Sequence, residues 1–191
     1  MMRHAAVAVL VSALLTACST KMSAPPPEIE ASLITELRDG RADLTCAAAC
    51  SGNWTASLAG LNRLYATGDW RHLASQVMWI GFQNDLGYYY LGRSAEGLGA
   101  PRSALIYYRK AGAVTVGTDP QLKCDAGGHD ACNGLSFPRD LYPRIQAVRN
   151  EIAHEIARAH PAAQRSAPTG VPVERVFRAE EPWIDPPAVA Q

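Results

Sequence analysis

The sequence predicts an all-α protein, and three observations carry that prediction. Apolar residues recur at helical spacing from Glu28 to His160. No stretch alternates apolar and polar residues in the manner of a half-buried strand. Short glycine-containing breaks such as Asp39-Gly40, Gly68 and Gly97-Leu98-Gly99 separate the periodic segments, as in antiparallel helical hairpins packed side by side.

Each predicted helix follows from its own pattern. Ile29, Leu33, Ile34 and Leu37 form the first, ended by Asp39-Gly40. Leu58, Leu61, Leu64 and Tyr65 form the second, stopped at Gly68, and Leu73, Val77 and Ile80 the third, bounded near Asn84. Tyr88, Leu91 and Ala95 give the fourth, and Ala104, Tyr108 and Ala111 the fifth. Residues 141–160 give a sixth, long and amphipathic, ended by Pro161. Beyond it, residues 161–191 carry Pro168, Pro172, Pro182, Pro186 and Pro187 with few periodic apolar positions, which predicts a largely disordered tail. Trp183-Ile184 is an apolar spot within it that could pack back on the body or bind a partner.

Bulk properties narrow the function classes. A hydrophobic fraction of 48% allows a buried core, and 191 residues suffice for one domain with an appendage. Lys and Arg balance Asp and Glu at 18 each, so the chain lacks the cationic footprint of a nucleic-acid binder.

Residues 1–17 have the layout of a secretory leader. Arg3 and His4 precede an apolar run from Ala5 to Leu15, too short to span a bilayer, which needs about 20 apolar residues. The run closes on Leu15-Thr16-Ala17-Cys18, which resembles the lipobox of bacterial lipoproteins. That resemblance implies cleavage before Cys18, diacylglycerol on its thiol and an acylated (palmitate-bearing) amino terminus. Ser19 stands where the family's inner-membrane retention signal has Asp, so the resemblance points to the outer membrane, on its periplasmic face. Residues 18–27, with three consecutive prolines, then form a stiff lipidated tether to a helical body at 28–160.

With Cys18 lipidated, Cys46, Cys50, Cys124 and Cys132 remain, an even number that argues for two disulfides in an oxidising compartment. Adjacency favours Cys46–Cys50 with Cys124–Cys132; a bridge from the first pair to the 124–132 loop is the alternative. Cys124, His129 and Cys132 with one further cysteine also form a conceivable zinc set, but the spacing matches no familiar zinc knuckle, and no metal or cofactor is predicted.

Two hairpins carry a finer pattern. Tyr88-x-x-Leu91-Gly92-x-x-Ala95 followed by Ala104-x-x-x-Tyr108-x-x-Ala111 resembles the tetratricopeptide repeat, in a divergent or Sel1-like form. An earlier copy reads Leu58-x-x-Leu61-Asn62-x-x-Tyr65 and then Ala74-x-x-x-Met78, with Asn62 in place of the glycine. In both, small residues let paired helices approach and large ones fill the holes between them. The copies lie 30 residues apart instead of 34, and Pro120 falls four residues late for the closing proline. The resemblance implies a short solenoid whose concave face would present Arg63, Tyr89, Arg93 and Glu96 to a protein or peptide partner.

No catalytic constellation stands out. His154-Glu155 lacks the second histidine of a helical zinc protease, since Arg158 stands one turn on. Cys46 and Cys50 are separated by three residues rather than the two of dedicated redox motifs. No nucleophile elbow or phosphate loop is present. The expectation is a non-enzymatic, outer-membrane, lipid-anchored interaction scaffold for envelope, pilus or secretion-system assembly. A passive structural lipoprotein is the alternative, with a cell-wall hydrolase behind it.

Overall fold

A computed structural model describes residues 24–127 and 131–159. The leader, Cys18 with most of its tether, His129 and the predicted tail with Trp183-Ile184 lie outside them. The described residues form six α-helices: α1 (Pro27–Arg38), α2 (Ser51–Thr67), α3 (Trp70–Ile80), α4 (Asp85–Gly97), α5 (Pro101–Val116) and α6 (Tyr142–Ala159). Three short 3-10 turns, Ala48–Cys50, Pro120–Leu122 and Cys124–Gly127, join them, and among the described residues the only β pairing is a single bridge of Cys46 with Phe82. The all-α prediction holds. The chain divides into two compact units, 1–150 and 151–191, with the division inside α6. Of the second unit only the final turns of α6 are described.

Local chemistry sets the boundaries. α1 starts on Pro27, whose missing N–H is no loss in a first turn, and carries Glu28 and Glu30 at its positive end and Arg38 at its negative end. Gly68 and Gly81 close α2 and α3 in the left-handed region, at φ of 69° and 70°. Asn84, expected to bound the third helix, instead starts the fourth: its Oδ1 accepts the Gly87 N–H at 2.7 Å. Pro101 starts α5.

α4 is the centre of the first unit. It packs most extensively on α5, then on α3, and ten of its thirteen residues are buried. At about 100° per residue, Tyr88, Tyr89 and Tyr90 point in three directions and meet three different neighbours. The Tyr88 hydroxyl donates to Asp43 Oδ1 at 2.6 Å. The Tyr89 ring lies against Tyr65, Tyr108 and Phe137, and the Tyr90 hydroxyl donates to Asn62 on α2 at 2.7 Å. Burial holds all three phenols protonated well above the usual tyrosine range.

Residues 39–47 cross this hub as an extended strap. Its Ala42 and Leu44 are buried, and Lys110 Nζ reaches Asp43 Oδ1 at 3.0 Å and the Ala42 carbonyl at 3.2 Å. Tyr107 on α5 accepts the Ala42 N–H and donates to the Leu37 carbonyl, both at 3.1 Å, while Ser103 donates to the Arg38 carbonyl at 2.6 Å. The last carbonyls of α1, which have no partner within their own helix, thus find donors on α5.

The α4–α5 pair has the close approach that its small residues predict. Ala95, Ala104 and Ala111 are fully buried. A Cβ placed on Gly92 would lie 2.5 Å from the Tyr108 ring, so only glycine fits there.

Candidate interaction surface

α2 is sparsely covered. Only Trp54 and Leu61 of its seventeen residues are buried. Trp54 packs on Phe82 and Tyr90, and Tyr65 stacks on Tyr90 with centroids 5.2 Å apart. The rest of α2 forms an open ridge with a depression on either flank.

The larger depression is a cleft of about 820 Å³ between α2 and the segment that follows α5. Trp54, Leu58 and Phe82 supply its apolar lining, Asn62, Asn84 and Gln121 its amides, and Lys123 its one formal charge among the described residues. That size falls within the range of ligand-binding cavities. A second groove, of about 510 Å³, lies between α2 and α3. Ala56, Ala59, Gly60 and Leu64 line it, with Arg63, His72 and Gln76 beside them. Ala59 borders both depressions and is exposed.

The cleft's outer wall is tied down by polar contacts. Asp85, 2% exposed at the start of α4, accepts the Cys124 N–H at 2.8 Å and the Leu86 N–H at 2.7 Å. Burial, against those two hydrogen bonds, pushes its carboxyl up to about 6.

The cysteines pair locally. The sulfurs of Cys46 and Cys50 are bonded to each other, as are those of Cys124 and Cys132. The first bridge sits at the entrance to α2 and the second within the segment that walls the cleft, so each staples one end of the same cavity. Every cysteine available to the zinc alternative is thereby bonded to another sulfur.

The residues expected on a concave face fall into two groups. Arg63 is exposed and lines the α2–α3 groove. Tyr89, in contrast, is 2% exposed, and Arg93 and Glu96 are only partly exposed, because α4 is covered on nearly all sides. Arg93 lies over Trp70 and Tyr65, with its guanidinium carbon 5.2 and 5.9 Å from the ring centroids. It also pairs with Glu96 at 3.0 Å. Glu96 in turn receives Arg144 of α6 at 3.3 Å and the Tyr108 hydroxyl at 2.5 Å. Burial first, then this carboxylate, raises the Tyr108 phenol far above its ordinary value. Arg93, expected to face a partner, is thus engaged by a carboxylate of its own helix.

Sequence reasoning passed over Trp54, Phe82 and Asp85. A usable signal was present for one neighbour: Asn62, noted as a departure from the repeat pattern, is the acceptor for Tyr90. Among the described residues no three His, Cys, Asp or Glu side chains group as a metal site, and no helix is long and apolar enough to cross a membrane. No family model, curated protein or solved structure matches this chain.

Proposed function

We propose that this chain is an outer-membrane lipoprotein, anchored through Cys18 and facing the periplasm, whose helical body serves as a docking scaffold for another envelope protein. The observation that carries the docking half is the exposure of α2. A seventeen-residue helix with two buried residues and a groove on each flank offers a partner an accessible, shaped face. The exposure of Arg63 beside the α2–α3 groove supports this reading, and the burial of Tyr89 with the part-burial of Arg93 and Glu96 favours the α2 ridge and its flanks over those three as the contact surface.

The anchoring half rests on the leader and on Leu15-Thr16-Ala17-Cys18. The α2–α3 and α4–α5 pairs are read as two divergent tetratricopeptide-like hairpins. Gly92 beneath Tyr108, and Asn62 bonded to Tyr90 where the second copy has glycine, support that reading. Assembly of an envelope, pilus or secretion structure is the setting that the resemblance suggests.

Photo-crosslinking in intact cells tests the scaffold. A reactive group at position 59 should give a discrete adduct, and one at exposed Arg102 on α5 should not. No adduct at 59, or equal labelling at both, would overturn the scaffold in favour of a passive structural role. For the anchor, Cys18→Ala should move the protein from the detergent phase to the aqueous phase; unchanged partitioning would overturn it.

A further inference from the structure

The two disulfides occupy opposite electrostatic settings. Cys50 is the N-cap residue of the seventeen-residue α2; the Ser51 N–H is held by the Ala48 carbonyl and the Cys50 side chain takes no capping hydrogen bond, so the helix acts on this cysteine through its dipole alone. No acidic residue stands in that first turn, and both Cys46 and Cys50 are part-exposed. In the second bridge Cys132 is part-exposed like the first pair, but Cys124 is 6% exposed, its N–H is held by the Asp85 carboxylate, and Asp125 follows it directly, so attack at the reachable sulfur, Cys132, would have to expel the buried one.

A thiolate is stabilised by a helix N-terminus and destabilised by burial beside carboxylates. Exchange is faster at a bond whose leaving sulfur is the more stable thiolate, and at a bond that a reductant can reach. Both factors favour the same bridge.

We propose that Cys46–Cys50 is an exchange-reactive disulfide, opened by a dithiol reductant while Cys124–Cys132 stays oxidised. One thiolate of the reductant attacks Cys46 Sγ, forming a mixed disulfide and expelling Cys50 as the thiolate that α2 stabilises. The second thiolate attacks the reductant's own sulfur in that mixed disulfide and releases Cys46. The protein takes up two electrons and the reductant's two protons, and the reductant leaves as a disulfide. Three residues between the cysteines set this pair apart from dedicated oxidoreductase motifs, so the bridge is an acceptor of exchange and not a catalyst of it. Its opening acts on the cleft directly. Cys46 is paired through its backbone to Gly81 and Gln83, and Ala48 and Ser51 line the cavity between that pairing and α2.

The two bridges separate cleanly on tryptic peptides 42–63 and 124–139. The folded, oxidised chain is treated with graded dithiothreitol at neutral pH, quenched with an alkylating reagent and mapped by mass spectrometry. Cys46 and Cys50 should be labelled at least about tenfold faster than Cys124 and Cys132. Equal rates, or the reverse order, would overturn the proposal. Asn53→Asp places a carboxylate in the first turn of α2 at an exposed position. It should slow opening of Cys46–Cys50 about two- to fivefold and leave the other bridge unchanged. An unchanged rate at Cys46–Cys50 would remove the helix terminus as the cause and overturn the proposal in this form.

Discussion

The hydroxyl of Tyr90 on α4 donates to Asn62 Oδ1 on α2 at 2.7 Å, a contact between residues 28 apart in sequence. It is one of few polar ties holding the exposed helix to the hub, alongside the Tyr65–Tyr89 hydroxyl pair at 3.4 Å. Tyr90→Phe should therefore cost about 1 kcal/mol of stability, the net worth of a buried hydrogen bond. Urea unfolding of Tyr90→Phe, Asn62→Ala and the double variant checks this. Additive losses would show that the two side chains do not interact.

Helix glycines in this chain fall into two kinds, and alanine separates them. At Gly92 a Cβ meets the Tyr108 ring, so Gly92→Ala should destabilise by about 1–3 kcal/mol through overpacking. At Gly60 nothing lies within 4 Å, so Gly60→Ala should stabilise by about 0.5–1 kcal/mol through helix propensity alone. Thermal melts of the two variants should shift in opposite directions.

Asp85 makes stability depend on pH with a defined sign. Its carboxyl moves up from 3.8 to about 6 on folding, so between those values the native state holds more protons than the unfolded chain. This contribution is fully present below about pH 4 and is lost as pH rises through about 6; its size is on the order of 2–3 kcal/mol. Asp85→Asn keeps an oxygen acceptor for the Cys124 and Leu86 N–H groups but cannot ionise. It should be more stable than the parent at pH 7, with the difference shrinking toward pH 4. Urea midpoints of both proteins between pH 4 and 7.5 measure it, and a pH-independent difference would contradict the assignment.

Glu96 receives two guanidinium groups and a phenol. Glu96→Ala should cost about 3 kcal/mol, because it leaves Arg93 part-buried without its carboxylate. Arg144→Ala should cost less, near 1 kcal/mol, since that side chain is 39% exposed. Equal losses would place the Glu96 effect on its link to α6 and not on Arg93.

The ends of the first two helices were legible from Gly40 and Gly68, both in the left-handed region, whereas Gly81, Pro27 and Pro101 punctuate the chain in the same way but went unread: the sequence pattern bounds the third helix near Asn84 and places Pro27 in the tether. The local cysteine pairing was also legible, being decided within five and nine residues of chain. What periodicity could not convey was which helix stands in the middle. A one-face apolar pattern left Tyr89 and Arg93 facing solvent, whereas α4 is surrounded by the strap, α2, α3 and α5. Tyrosine hides this, since a phenol suits a surface and also a core that offers an acceptor. The cleft was not legible, because its lining comes from four separate segments and no spacing within any one reports the others.

The three consecutive tyrosines of α4 act as a combination lock on chain register. Each ring reaches its own partner only at its own angle around the helix axis. Deleting or inserting one residue before Tyr88 would turn all three by about 100° at once, with each phenol facing a site shaped for its neighbour. No single compensating substitution restores such a change. The helix should therefore accept exchanges of residue type at its ends far more readily than any change in its length, and length variation among related chains should collect in the segment between α5 and α6.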